Sequence, residues 1–281
     1  MKRLLLLALV GAVLLNAAPA LSDGDFYVVA VGKRTEGVGT KITSLPHTIS
    51  NPGFYYLGGN LTTSETGITV NASDVTLDLM GFCITGPGVG VNAASGITIM
   101  EDCSNVEIRN GSLKGFSQYG IYAPSSSTGI RLIGIRVKET ASCGIKLSGA
   151  GNLVMGCSVM NAKWDGMDIG PSSLVKGNYV TQTDWSAIIA DVGSNVLGNV
   201  TTSNGIGIRA YLGTSVMDNT VFGNTSNGIY LGSFCTITRN TASNNGDAGI
   251  YAVYYCTITN NTTDGLTYNN GCTLANNTVT P

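Results

Sequence analysis

A small residue, an apolar one, a variable one and a second apolar one recur along this chain. The unit reads Gly96-Ile97-Thr98-Ile99, Gly120-Ile121-Tyr122-Ala123, Gly144-Ile145-Lys146-Leu147, Gly166-Met167-Asp168-Ile169 and Ala187-Ile188-Ile189-Ala190. It continues as Gly207-Ile208-Arg209-Ala210, Gly228-Ile229-Tyr230-Leu231, Gly249-Ile250-Tyr251-Ala252 and Gly265-Leu266-Thr267-Tyr268. The starting positions are spaced by 24, 24, 22, 21, 20, 21, 21 and 16 residues. A second column keeps the same beat. An apolar residue stands three places before an Asn at Val175/Asn178, Val196/Asn199, Val216/Asn219, Ile237/Asn240, Ile258/Asn261 and Leu274/Asn277. Gly111, Ile135 and Cys157 take the Asn place in earlier units.

Each unit holds three short alternating segments parted by Gly- and Asn-rich bends, with no helical periodicity. One unit cannot bury its own apolar residues, so units must stack. Stacking at roughly 4.8 Å per coil puts equivalent residues into ladders, and about ten coils give a rod on the order of 50 Å long. The reading is therefore an all-β parallel β-helix. Ile97, Ile121, Ile145, Met167, Ile188, Ile208, Ile229, Ile250 and Leu266 form one inward ladder. A leucine-rich repeat of similar period needs regular Leu positions, which are absent. The Asn column is expected to take left-handed backbone at a bend and to bond neighbouring coils through its amides. Asn199, Asn224 and Asn261 open glycosylation sequons, which a ladder rich in Asn and Thr produces by composition.

The N-terminus reads as a secretory leader: Lys2 and Arg3, an apolar run Leu4 to Leu15, then small residues before a cleavage point near Ser22. The expected organisation is a leader over 1–22, a cap over 23–50 and the β-helix over 51–281. No Cys near the cleavage point suits a lipid anchor, and no later run is apolar enough to span a membrane. The chain is expected to be secreted, periplasmic or on the cell surface. Removing the leader lowers Lys+Arg from 15 to 13 against 17 Asp+Glu, a net charge of about −4. That balance offers no electrostatic footprint for nucleic acid. The seven cysteines cannot all pair within one chain. Cys235, Cys256 and Cys272 fall at equivalent positions and are expected to form a buried thiol stack, since parallel side chains suit a disulfide poorly.

Units such as Gly228 to Asn240 resemble those of the pectate-lyase-like right-handed parallel β-helices. That superfamily includes polysaccharide lyases, galacturonan hydrolases, epimerases and NosD-like periplasmic proteins. The stretch Leu45 to Ser50, Gly53 to Leu57, Asn60 to Thr62 and Val75 to Phe82 is similar to the start of secreted bacterial β-helix proteins. The resemblance covers roughly residues 45 to 281. It implies that Gly-Ile-x-apolar is the first strand of each coil and that the outer face of that strand forms a substrate groove. The outward column is then Thr98, Tyr122, Lys146, Asp168, Ile189, Arg209, Tyr230, Tyr251 and Thr267.

One neighbourhood of that groove carries unusual chemistry. Trp164 and Trp185, the only tryptophans, hold the same repeat position 21 residues apart. Lys163, Asp165, Asp168, Asp184 and Asp191 lie around them. Flat aromatic faces beside carboxylates suit sugar rings, which offer C–H surfaces to the rings and hydroxyls to the acids. The bland alternative is that the tryptophans cap a bend and the acids make surface pairs such as Lys146 with Asp168. Expected substrate contacts are Trp164, Trp185, Asp165, Asp184, Tyr211 and Tyr230, although Tyr230 and Tyr251 also suit an ordinary strand-surface ladder.

Catalysis, if present, falls to Asp168, Asp191, Lys146 and Arg209. Asp168 and Asp191 should lie about 8 Å apart from strand rise and coil spacing, within the roughly 6.5–9.5 Å of an inverting carboxylate pair. A lyase would need a base such as Lys146 or Arg209, and Ca²⁺ or Arg to neutralise a uronate. The Asp-Asp and Gly-His motifs of galacturonan hydrolases are missing. No other cofactor is implied. The leading expectation is a protein that binds a polysaccharide, with cleavage open; the alternative is a non-catalytic surface or adhesion rod. The short last repeat, ending at Pro281, leaves the terminal coil uncovered and points to self-association there.

Overall fold

The computed structural model describes residues 39–280 apart from Val91; the expected leader and residues 23–38 of the expected cap lie outside them. Every regular element among the described residues is a strand, most of them two to five residues long, and every pairing is parallel. Three ladders run along the molecule. The first has eleven strands, from His47–Ile49 to Leu266–Tyr268. The second and third merge into one sheet because Val106–Phe116 and Arg131–Thr140 run unbroken around the corner between them. Coiling starts at Thr40–Ile42, which pairs with Tyr55–Leu57, so part of the segment expected as a cap is already ladder.

Register in the first ladder follows the repeat. Ile97, Ile121, Ile145, Met167, Ile188, Ile208, Ile229, Ile250 and Leu266 are consecutive partners. All but Leu266 are fully buried. Alternation along each three-residue strand then sends the middle residue outward. The outward column is Thr98, Tyr122, Lys146, Asp168, Ile189, Arg209, Tyr230, Tyr251 and Thr267, and Thr69 and Thr48 extend it upward.

The Asn column bonds neighbouring coils as expected but does not itself take the left-handed backbone. Asn178, Asn199, Asn219, Asn240 and Asn261 are buried, and none has positive φ. Left-handed backbone falls one residue earlier, at Gly177, Gly198, Asp218, Arg239 and Asn260. The corner is therefore a single left-handed residue, where Gly carries no Cβ penalty and Asp or Asn tolerates it. The ladder Asn is thereby left to bond along the stack. Asn199 donates from its amide to Asn219 Oδ1 at 3.0 Å and to the Val175 carbonyl at 2.9 Å. Its backbone N–H also reaches Asn219 Oδ1, at 2.8 Å.

A second polar ladder went unread in the sequence. Thr183, Asn204, Asn224, Asn245 and Asp264 stack at the bend between third and first strands, each backbone N–H donating to the next side-chain oxygen. Its signal was present, since Asn recurs five residues after the first ladder at 199/204, 219/224 and 240/245. All seven thiols are free. Cys235 and Cys256 donate to the carbonyls of Tyr211 and Gly232, both at 3.1 Å, in the column that Ser173, Ser194 and Thr214 occupy above them.

Candidate functional site

The bend before the first strand stacks Trp164 on Trp185, ring centroids 6.0 Å apart and planes 16° from parallel. The Trp185 backbone N–H donates to the Trp164 carbonyl, which fixes the two one coil apart. Both rings are exposed, at 56% and 62%, so their outer faces are open to solvent. In the next coil the column holds Gly205, whose N–H donates to the Trp185 carbonyl at 2.8 Å. A Cβ there would meet that carbonyl oxygen at 2.6 Å, so only glycine lets the coils close at this point. The small residue also leaves a cavity of about 270 Å³ beneath Trp185, lined by Asp184, Trp185, Gly205, Ile206, Arg209 and Ser226.

Arg209 supplies the charge in that cavity. Its guanidinium carbon lies 5.3 Å from the Tyr211 ring centroid and 5.7 Å from that of Tyr230, a slot between two aromatic faces. Nε is buried without a hydrogen-bond partner, and among the described residues Arg209 enters no ion pair. Asp184 is exposed and pairs with Lys163 at 3.5 Å. The structure thus brings Trp164, Trp185, Asp184, Arg209, Tyr211 and Tyr230 to one surface.

The remaining expected residues stand apart from that cavity. Lys146 and Asp168 are partners on adjacent strands and form a half-buried ion pair. Burial alone would lower the Lys146 pKa, but the hydrogen bond and charge of Asp168 outweigh it and hold the ammonium above its ordinary value. Asp191 opens the bend after its strand and accepts the Val192 N–H at 2.7 Å. Its own N–H bonds the Ile169 carbonyl and Tyr211 N–H bonds the Ala190 carbonyl, so Asp191 and Tyr211 share a column. Asp165 does not face the groove. It is only 9% exposed, and its Oδ1 accepts the Ser186 N–H at 2.9 Å. Burial raises its pKa. Strand-start alternation turns it inward, so it ties the Trp164 coil to the Trp185 coil from beneath. Tyr230 and Tyr251 stack at 5.2 Å and 6°, which makes the strand-surface ladder and the aromatic platform the same object.

Among the described residues no three His, Cys, Asp or Glu side chains gather as metal ligands would. A Ca²⁺ site takes roughly six to eight oxygen ligands, and the groove carboxylates, spread over separate coils and engaged with Lys146, Lys163 and Val192, do not assemble one. No described helix is long and apolar enough to cross a membrane.

Comparison with known proteins agrees with the coil geometry. Among solved structures the chain is similar to the A-module of the mannuronan C-5 epimerase AlgE4 of Azotobacter vinelandii, with a TM-score of 0.67 and 15% identity over 81% of this chain and 87% of that one. The A-module of AlgE6 from the same organism gives 0.63 and 15% identity, over 80% of this chain and 71% of that one. The Dettilon tailspike protein gives 0.54 and 16%, over 85% of this chain and 58% of that one. At such identities the likeness is one of fold. No curated protein matches by sequence. The family described as "Right handed beta helix region" matches residues 47–204, more than half of the sequence, and the chain belongs to that family of right-handed β-helix proteins.

Proposed function

We propose that this protein binds a uronic-acid-containing polysaccharide along the outer face of the first ladder. Trp164 and Trp185 stack on sugar rings, and Arg209 takes a carboxylate in the cavity beneath Trp185. The observation that carries the reading is Arg209: a guanidinium slotted between Tyr211 and Tyr230, lining a cavity, with a buried Nε that has no partner. Arg209 lines the cavity without an ion pair among the described residues, and a carboxylate bound there would meet its guanidinium N–H groups in charge-assisted hydrogen bonds. The epimerases of similar fold act, by their names, on mannuronan. Export through the leader read at residues 1–22 would bring the chain to such polymers.

The same geometry bears on cleavage. Elimination needs a neutral base, and Asp168 holds Lys146 as a cation, so a lyase reaction through Lys146 is disfavoured. Asp168 and Asp191 remain the pair for a two-carboxylate hydrolysis, in which Asp168 would first have to leave Lys146. Binding by itself asks for no such rearrangement and is the better supported reading. Calorimetric titration of wild type, Arg209→Lys and Arg209→Gln with oligouronates and with neutral glucan oligosaccharides tests it. Wild type should prefer the oligouronates, and Arg209→Gln should weaken them by about tenfold or more, the size of one charge-assisted contact. Arg209→Lys should recover part of that loss. Equal affinity of all three proteins for oligouronates would refute the assignment.

A further inference from the structure

A second aromatic surface lies on the other margin of the first ladder, in the last coils. At the bend after the first strand one column holds Gly193 and Gly213, then Phe234 and Tyr255, then Gly271. The N–H of each of the first four bonds the carbonyl that precedes its counterpart in the next coil. Every member has positive φ: 67° and 66° at the first two glycines, 59° at Phe234, 56° at Tyr255 and 82° at Gly271. Phe234 and Tyr255 are the only aromatic residues with positive φ among the described residues. A bulky side chain is strained there, and the column holds only glycine or a small polar residue elsewhere, as at Gly151 and Ser172. The strain secures little burial, since the two rings are 60% and 59% exposed. They stand stacked at 5.2 Å and 15°, with Tyr254 tilted against Tyr255. Beside them is a cavity of about 240 Å³ lined by Tyr254, Tyr268, Asn269 and Asn270.

We propose that this cavity and its platform are a separate binding site for a single neutral sugar residue. The cavity falls below the roughly 300–1,000 Å³ of pockets for drug-sized ligands. Its lining offers phenol hydroxyls and carboxamides, which both donate and accept, and no charged side chain. That combination suits the hydroxyls of an uncharged ring, while exposed aromatic faces take its C–H surface. The site differs from the Trp164–Trp185 surface in position, three to four strands along the ladder and on its opposite margin, and in lacking an Arg. It does not depend on the uronate reading.

Saturation-transfer NMR with methyl glycosides of glucose, galactose and mannose tests it on wild type and three variants. Phe234→Gly/Tyr255→Gly restores the residue that the column has elsewhere, so its melting temperature should not fall. Its affinity for the recognised glycoside should drop by about tenfold or more through lost stacking. Tyr254→Ala, which leaves the Phe234–Tyr255 stack in place, should weaken the same glycoside. Trp164→Ala/Trp185→Ala should bind it as wild type does. Three results would each overturn the site: no glycoside bound by wild type, binding unchanged in the double-Gly variant, or binding lost in the Trp variant instead. The last would leave the uronate proposal standing.

Discussion

Arg209 and Asp165 show how one residue's direction at a strand decides its role. Arg209 lies between the inward Ile208 and Ala210 of its strand and so points outward, where it meets solvent or a ligand. Asp165 lies just before its strand and turns in, where burial favours its protonated form. Because its native pKa is raised, the native state binds that proton more tightly than the unfolded chain does. The resulting stabilisation is full below the ordinary Asp value of about 3.9 and is lost as pH rises through the native pKa. Asp165→Asn keeps an acceptor for the Ser186 N–H and removes the pH-dependent loss. Melting curves should therefore show the variant gaining on wild type as pH rises above the ordinary Asp value. A variant-minus-wild-type difference independent of pH would contradict this account of Asp165.

At the scale of the elements, the ladders separate what hydrophobic patterning specifies from what polar stacking specifies. Asn219 accepts from the N–H and the amide of Asn199, and donates to the carbonyls of Val196 and Met217 and to Asn240 Oδ1. Asn219→Ala strands several of these buried groups, and the expected loss is about 2–4 kcal/mol in chemical denaturation. A loss under about 0.5 kcal/mol, the range of ordinary surface changes, would mean that the amide stack is incidental. The first strand was fully legible because its inward residues repeat with a two-residue alternation, as in Ile208–Arg209–Ala210. The corner was legible only in position. Asn219 looked like the left-handed residue, yet Asp218 is, because the sequence marks both with small polar residues and only the backbone tells them apart. The second ladder of Asn204, Asn224 and Asn245 was missed for a related reason: with Thr183 and Asp264 at its ends, its chemical identity changes along the stack.

For the whole molecule, the nearly constant 20- to 24-residue period over most coils converts separations in sequence into places on a surface. Trp164 and Trp185 could be paired from sequence alone because they are one period apart, and they stack. Arg209 could be placed two strands from Asp168, and it stands there. The cavity could not be read, since it depends on what is missing at Gly205 and on the slot between Tyr211 and Tyr230, neither of which has a periodic signature. The Phe234–Tyr255 stack was not legible because the two residues stand at a left-handed bend rather than extend a strand pattern. The central claim is that the first-ladder face, through its tryptophan stack, holds a polysaccharide. Affinity electrophoresis through gels cast with a polyuronate or a neutral glucan, run with wild type and with Trp164→Ala/Trp185→Ala, tests it most directly. The account predicts that the polyuronate gel retards wild type and that the double variant, folded by its melting curve, migrates as in a gel without polymer. Equal retardation of the two proteins, or none of wild type in any polymer, would contradict it.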